Sequence, residues 1–168
     1  EPILFWGLDQ ASLNYTPGQI LEQGIVWYYL YMVKDGKNVV LLVDDDANLR
    51  EIIKAKLEAV GFAVIEAKDG EDGVNKAKNN KPDLILMDVQ MPKMNGIEAL
   101  SKIKADPDTS QAKVLFLTNY GEANTSDAPL DDKFARDIGA IGHLRKTDDL
   151  DKIIERVKQE LFKITPNP

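Results

Sequence analysis

The chain has no cysteine and a single histidine, His143, among its 168 residues. Without thiols it forms no disulfide and no thiolate metal centre, and one imidazole rules out a multi-histidine metal site. The absence of cysteine fits a reducing, cytoplasmic setting. Basic blocks are missing too: 21 Lys and Arg face 28 Asp and Glu, for a net charge of −7. Nothing in that balance offsets phosphate charge, which argues against nucleic-acid binding. The same acidity suits a bound cation or a basic partner surface. No apolar run approaches the roughly 20 residues that cross a bilayer. The longest, "IVWYYLYMV" from Ile25 to Val33, falls short, so no membrane association is expected. The first residues also lack the basic start and small-residue cleavage site of a secretory signal.

What is present changes character near "MVKDGKN", Met32 to Asn38. Upstream, aromatics are mixed with Pro, Gly and Asn without a sustained period, and both tryptophans, Trp6 and Trp27, lie there. Residues 1–36 are read as an N-terminal extension, a linker or upstream segment, with "GIVWYYLYMV" a candidate extra strand against a sheet edge or another chain. Downstream the pattern is regular. "NVVLLV" (38–43) is a continuous β-branched and aliphatic run, as expected of a strand covered on both faces. "ANLREIIKAKLEAVG" (47–61) places Leu49, Ile52, Ile53, Leu57 and Val60 on one helical stripe and stops at a glycine. The alternation continues with strands at 62–67, 83–88, 113–118 and 141–146, and helices at 70–80, 96–106, 130–140 and 148–162. Five strands alternating with five helices predict a parallel sheet with helices on both faces, joined by right-handed crossovers. The predicted domain is 37–162, and residues 163–168 form a C-terminal tail.

In an open parallel sheet the ligand crevice lies beyond the carboxyl ends of the strands. The first strand ends in Asp44, Asp45 and Asp46, the third in Asp88, the fourth in Thr118 and the fifth in Lys146; the second, at Ala67-Lys68, shows nothing special. If the first and third strands are neighbours, Asp44, Asp45 and Asp88 converge. Clustered carboxylates raise one another's pKa values unless a cation neutralises them. An all-oxygen ligand set favours a hard divalent ion, and a few carboxylates with open positions suit Mg²⁺. A metal, a carboxylate, a hydroxyl and a lysine around one point are the parts phosphoryl transfer requires.

"VLLVDDD", "LILMDVQMPKMNG", "VLFLT" and "HLRK" together resemble the receiver domain of two-component response regulators, the CheY-like family. The likeness spans about Lys37 to Phe162. It implies a flavodoxin-like, doubly wound sheet of order 2-1-3-4-5. By the same resemblance Asp88 is the aspartate that takes a phosphoryl group from a histidine kinase or phosphotransfer protein. Asp45 is a direct Mg²⁺ ligand, Asp44 shapes the acidic pocket, and Gln90 lends its backbone carbonyl. Thr118 is the switch hydroxyl, His143 occupies the aromatic switch position, and Lys146 bonds the phosphoryl group. A downstream protein target and a homodimer through the fourth-to-fifth helix face are also implied. Such a domain is a phosphoacceptor that signals by a conformational switch, with slow self-catalysed dephosphorylation, and is not an enzyme in the usual sense. No output module is encoded in these residues.

The sequence departs from the family in four places. Thr147 stands where a proline with a cis bond is usual, leaving either a trans bond or a costly non-proline cis bond. His143 replaces Tyr or Phe and adds a group that titrates near neutrality. Asn119 stands where a small residue is usual. "NYGEANTSDAPLDD" (119–132) is longer than the family norm and is expected to alter partner choice or dimerisation. Two other functions compete. A haloacid-dehalogenase-type enzyme generally needs a second aspartate two residues after the first, and Gln90 is found there. A pseudo-receiver, binding proteins without phosphorylation, is the alternative left open by Asn119, Thr147 and the insertion.

Overall fold

Short runs of Val, Leu, Ile and Phe set the sheet, and the polar segments between them supply its helices. The computed structural model describes residues 38–119 and 132–162. In chain order it contains β1 (Val39–Val43), α1 (Ala47–Ala59), β2 (Ala63–Ala67), α2 (Gly70–Asn80), β3 (Leu84–Asp88), α3 (Gly96–Ala105), β4 (Val114–Thr118), α4 (Asp132–Asp137), β5 (Gly142–Arg145) and α5 (Leu150–Leu161). All adjacent strands pair in parallel, in the order β2-β1-β3-β4-β5. The predicted fold is therefore the observed one. The chain order reverses at the β1/β3 boundary, the place where such sheets open a crevice.

Two apolar layers hold the sheet. Successive strand residues point to opposite faces, so β1 sends Val40 and Leu42 one way and Leu41 and Val43 the other. The first set joins Leu84, Leu86, Leu115 and Leu117 against Ile53 and Leu57 of α1 and Ile153, Ile154 and Val157 of α5. The second joins Ile85, Met87, Val114 and Phe116 against Ala77 of α2, Ala99, Leu100 and Ile103 of α3, and Ala135 of α4. The central strands β3 and β4 are buried along their whole length. Each aliphatic side chain so buried contributes about 1.5–3 kcal/mol before conformational entropy is subtracted.

Helix starts are capped by short acceptors. Asp46 accepts from the amides of Asn48 and Leu49, Asp69 from Asp72, and Asp149 from Asp151. Asn95 and Glu98 exchange bonds in a capping box at the start of α3. These caps satisfy amides that the first turn leaves without intrahelical partners.

Several boundaries are tighter than the periodicity predicts. α1 ends at Ala59, with Val60 as its cap and Gly61 beyond it at φ +99°. α4 ends at Asp137 rather than at residue 140, because Gly139 takes φ +100° and turns the chain toward β5, while the predicted start at 130 lies outside the described residues. α5 begins at Leu150, since Asp149 is its cap. Ile52 corrects the predicted α1 stripe: it is 55% exposed, while Ile53 and Leu57 are fully buried. At 3.6 residues per turn it lies about a quarter-turn from the stripe's centre, on the flank of a helix that packs against one layer only. Among the described residues no peptide bond is cis, so Lys146–Thr147 is trans. The N-terminal extension with its candidate strand, residues 120–131 of the insertion, and the tail lie outside the described residues. Among the described residues no helix is long and apolar enough to cross a membrane.

Candidate functional site

Strand alternation builds the site. The register Val43↔Met87 sets the next residues, Asp44 and Asp88, abreast at the β1/β3 reversal, and Asp88 pairs with Leu117, which pairs with Leu144. Asp44 and Asp88 continue the row of Val40–Leu42 and Leu84–Leu86, and Lys146 continues from Leu144 by the same two-residue step. All three thus fall on the α1/α5 side of the sheet. The Lys146 ammonium lies 2.8 Å from Asp88 Oδ2 and donates a hydrogen bond to it. It also sits 2.7 Å from Asp44 Oδ2, an ion pair that lacks good hydrogen-bond alignment. Asp44 and Asp88 are buried, and Asp45 is exposed at the mouth.

One carboxylate oxygen from each of Asp44, Asp45 and Asp88 can be chosen so that all lie within 4.8 Å of one another. The convergence predicted from the strand ends is found. Three carboxylates around one ammonium leave negative charge in surplus, and the donor set is all oxygen, with one member open to solvent. That chemistry fits a hard divalent cation.

Each buried charge is fixed by further bonds. Asp44 Oδ1 accepts from the Asp46 amide at 2.9 Å, and its carbonyl accepts from Arg50 Nη1 at 2.7 Å. Arg50 Nε lies 3.5 Å from Glu66 Oε1, tying the Asp44 backbone to α1 and β2. Asp88 Oδ1 accepts from the amide of Gln90 at 3.2 Å. Burial pushes the Asp88 carboxyl above its ordinary value, and the nearby Asp44 charge adds to this, outweighing the opposite pull of Lys146. Burial also works against the Lys146 ammonium, but the two carboxylates win and hold its pKa above the ordinary lysine value.

The raised Asp88 value has a consequence for stability. An acid whose pKa is raised by folding favours the native state below its unfolded pKa, here 3.8, and that contribution is lost as pH rises through the folded value. At neutral pH the ionised Asp88 is therefore a strain on the metal-free protein. Asp88→Asn removes it and leaves Lys146 matched to Asp44. Thermal melts without metal should show the variant more stable than wild type at neutral pH, with the gap closing as pH falls toward 3.8. A variant less stable at neutral pH would contradict this account.

Thr118 and His143 belong to the other face. Thr118 follows Val114 and Phe116 by the alternation and is fully buried, while His143 pairs in register with Phe116. The Lys146 amide donates to the Thr118 carbonyl at 2.9 Å, linking the ends of β4 and β5. His143 is half-buried, and its Nδ1 lies 2.8 Å from Asp132 Oδ1, which also accepts its amide at 3.1 Å. Desolvation opposes ionisation of Asp132, but the bonds from His143 prevail and hold its pKa below the ordinary carboxylate range. Gln90 is exposed, between buried Val89 and Met91.

Sequence reasoning missed Arg50 and Asp132. Neither carries a motif, and each acts through a partner that only the fold brings to it. It also assigned no role to the end of β2, where Asp69 and Gly70 pack beside the loop after Asp88. The Asp-Gly step ahead of a helix was the available signal.

Comparison with known proteins agrees with this geometry. Residues 40–158 match the model of the response regulator receiver domain. The chain is 33% identical over 122 residues to Protein PilH of Pseudomonas aeruginosa, covering 73% of this chain and 96% of that protein. It is 36% identical over 121 residues to the transcriptional regulatory protein CpxR of Escherichia coli, covering 72% of this chain and 48% of CpxR. The chain spans less than half the length of several curated relatives it matches. Among solved structures it resembles a chain of the CheX–CheY–BeF3–Mg²⁺ complex of Borrelia burgdorferi, with a TM-score of 0.62 and 31% identity over 72% of this chain and 87% of that one. With the sheet order, the acidic crevice and these matches in agreement, the chain belongs to the response regulator receiver domain family.

Proposed function

We propose that this receiver accepts a phosphoryl group on Asp88 from a phosphohistidine of a histidine kinase or phosphotransfer protein, and relays the change through Thr118 and His143 to a downstream protein. The observation that carries the reading is the meeting of Asp44, Asp45 and Asp88 with Lys146 at the β1/β3 reversal.

Asp44, Asp45 and Asp88, with the Gln90 backbone carbonyl, would hold Mg²⁺. When bound, the ion supplies positive charge to the phosphoryl oxygens. The protein's own groups do the rest. An Asp88 carboxylate oxygen forms the new bond to phosphorus as the phosphorus–nitrogen bond to the donor histidine breaks, and the departing imidazole takes up a proton. Lys146, already bonded to Asp88, shifts to an oxygen of the transferred group and meets charge as it develops. Slow hydrolysis of the acyl phosphate returns Asp88 to its carboxylate. Thr118 turns toward the modified group, and His143 follows on the same face. The signal is a population shift, because the phosphoryl group bonds one arrangement better than the other. We also assign residues 37–162 to the switching unit and residues 1–36 to a separate extension, place the protein in the cytoplasm, and assign the α4–α5 face to homodimer contacts.

The test is intact-mass measurement after incubation with acetyl phosphate and Mg²⁺. Wild type should gain one phosphoryl group, and omission of Mg²⁺ or the change Asp88→Asn should abolish the gain. No gain by folded wild type would leave a phosphorylation-independent binding module as the better description.

A further inference from the structure

We propose that Asp69 and Gly70, at the start of α2, are positioning residues for the cation site: they brace the loop that carries Gln90. The inference rests on the phosphoacceptor reading and adds a part of the fold that reading does not use. Asp69 is buried, 7% exposed, and divides its carboxylate between two tasks. Oδ1 accepts the Asp72 amide and caps α2, while Oδ2 lies 3.5 Å from the ammonium of Lys93 in the loop after β3. The hydrogen bond from Asp72 holds the Asp69 carboxyl below its ordinary value, so the group facing Lys93 is an anion.

Gly70 makes the closer approach. A Cβ on it would overlap the carbonyl oxygen of Met94 and stand 3.1 Å from the carbonyl carbon, so only a residue without a side chain lets α2 lie against that backbone. The loop is shaped unusually where it is touched. Lys93 holds φ +67°, a left-handed conformation that a long side chain takes only when its surroundings impose it. The Met94 amide folds back to the Pro92 carbonyl at 2.8 Å. On its far side the loop is closed by Gly96, whose amide donates to the Val89 carbonyl at 2.9 Å. Gln90 lies on this braced segment, and its amide already bonds Asp88 Oδ1. Movement of the brace therefore moves the amide that holds Asp88 and the carbonyl that would face the ion.

The test compares Mg²⁺ affinity, by isothermal titration calorimetry, in wild type, Lys93→Met, Lys93→Arg and Gly70→Ala, with thermal melts in the absence of metal. Loss of a positive charge from an acidic protein would by itself favour cation binding. The brace predicts the opposite sign: Lys93→Met should bind Mg²⁺ about two- to fivefold more weakly, the span expected for an exposed ion pair, with an unchanged melting temperature. Lys93→Arg should restore the affinity. Gly70→Ala should weaken binding about tenfold or more through the displaced loop; if that variant fails to fold, Lys93→Met decides alone. Either folded variant binding as tightly as wild type overturns the brace while leaving the phosphoacceptor reading intact. Wild type that takes up no Mg²⁺ overturns both.

Discussion

Lys146→Met should lower the stability of the metal-free protein by about 3–5 kcal/mol, the range found when one partner of a buried ion pair is removed. Lys146 is 9% exposed at its side chain and bridges Asp44 and Asp88, themselves almost completely buried. Without it two carboxylates share one desolvated crevice with no counter-charge. The sign of the pH dependence follows. Lys146 has a raised folded pKa, so its contribution is present below the unfolded value of 10.5 and disappears as pH rises through the folded one. In the variant the deficit should instead shrink under acid, when the Asp88 carboxyl takes up a proton. Mg²⁺ should recover part of the loss at neutral pH, because a divalent ion replaces the missing charge. Chemical denaturation with and without Mg²⁺, at neutral and acidic pH, reads all three effects. A variant as stable as wild type without metal would mean that the triad is not electrostatically coupled.

Gly96→Ala should cost about 1–3 kcal/mol through overpacking and slow phosphoryl transfer about a hundredfold, the scale of an ångström misplacement at a reacting centre. Gly96 opens α3, and a Cβ there would overlap the carbonyl oxygen of Asp88 and lie 3.0 Å from the Val89 Cα. The collision is with backbone, which cannot rotate aside, and it falls on the residue proposed to accept the phosphoryl group. Equilibrium unfolding and the rate of mass gain from acetyl phosphate separate the two losses. Transfer that falls only in proportion to the unfolded fraction would show that Gly96 serves packing alone.

The parts of the fold that could be read from sequence were those with a local physical signature. Continuous runs such as Leu84–Met87 read as strands buried on both faces, and their alternation with helical stripes implies a parallel sheet between helices. Asp88 stood out because a carboxylate ends such a run, and Lys146 because it follows the last strand at the same end of the sheet. The strand order came only from resemblance, since pairing among equally apolar strands leaves no local mark. Ile52 misled because a helical stripe read from sequence does not say how many sides of the helix are covered. Arg50 and Asp132 were invisible for a different reason, and at Asp69 only the helix cap was legible. An Arg or Asp on a solvated turn and one that steadies a buried carbonyl, a loop or a histidine look alike until the chain is folded.

On the proposed reading, the sheet separates the groups that would handle the phosphoryl group from those that would relay its state. Asp44, Asp88 and Lys146 occupy one side, and Thr118 and His143 the other, with the Lys146 amide to Thr118 carbonyl bond spanning the strand ends. Evolution can therefore edit the two sides on different schedules. If the α4 surface meets the partner as proposed, a duplicated copy could change it while the acidic side stays untouched. By the same reading, a substitution at 143 would change what the partner meets without any change to the acidic cluster.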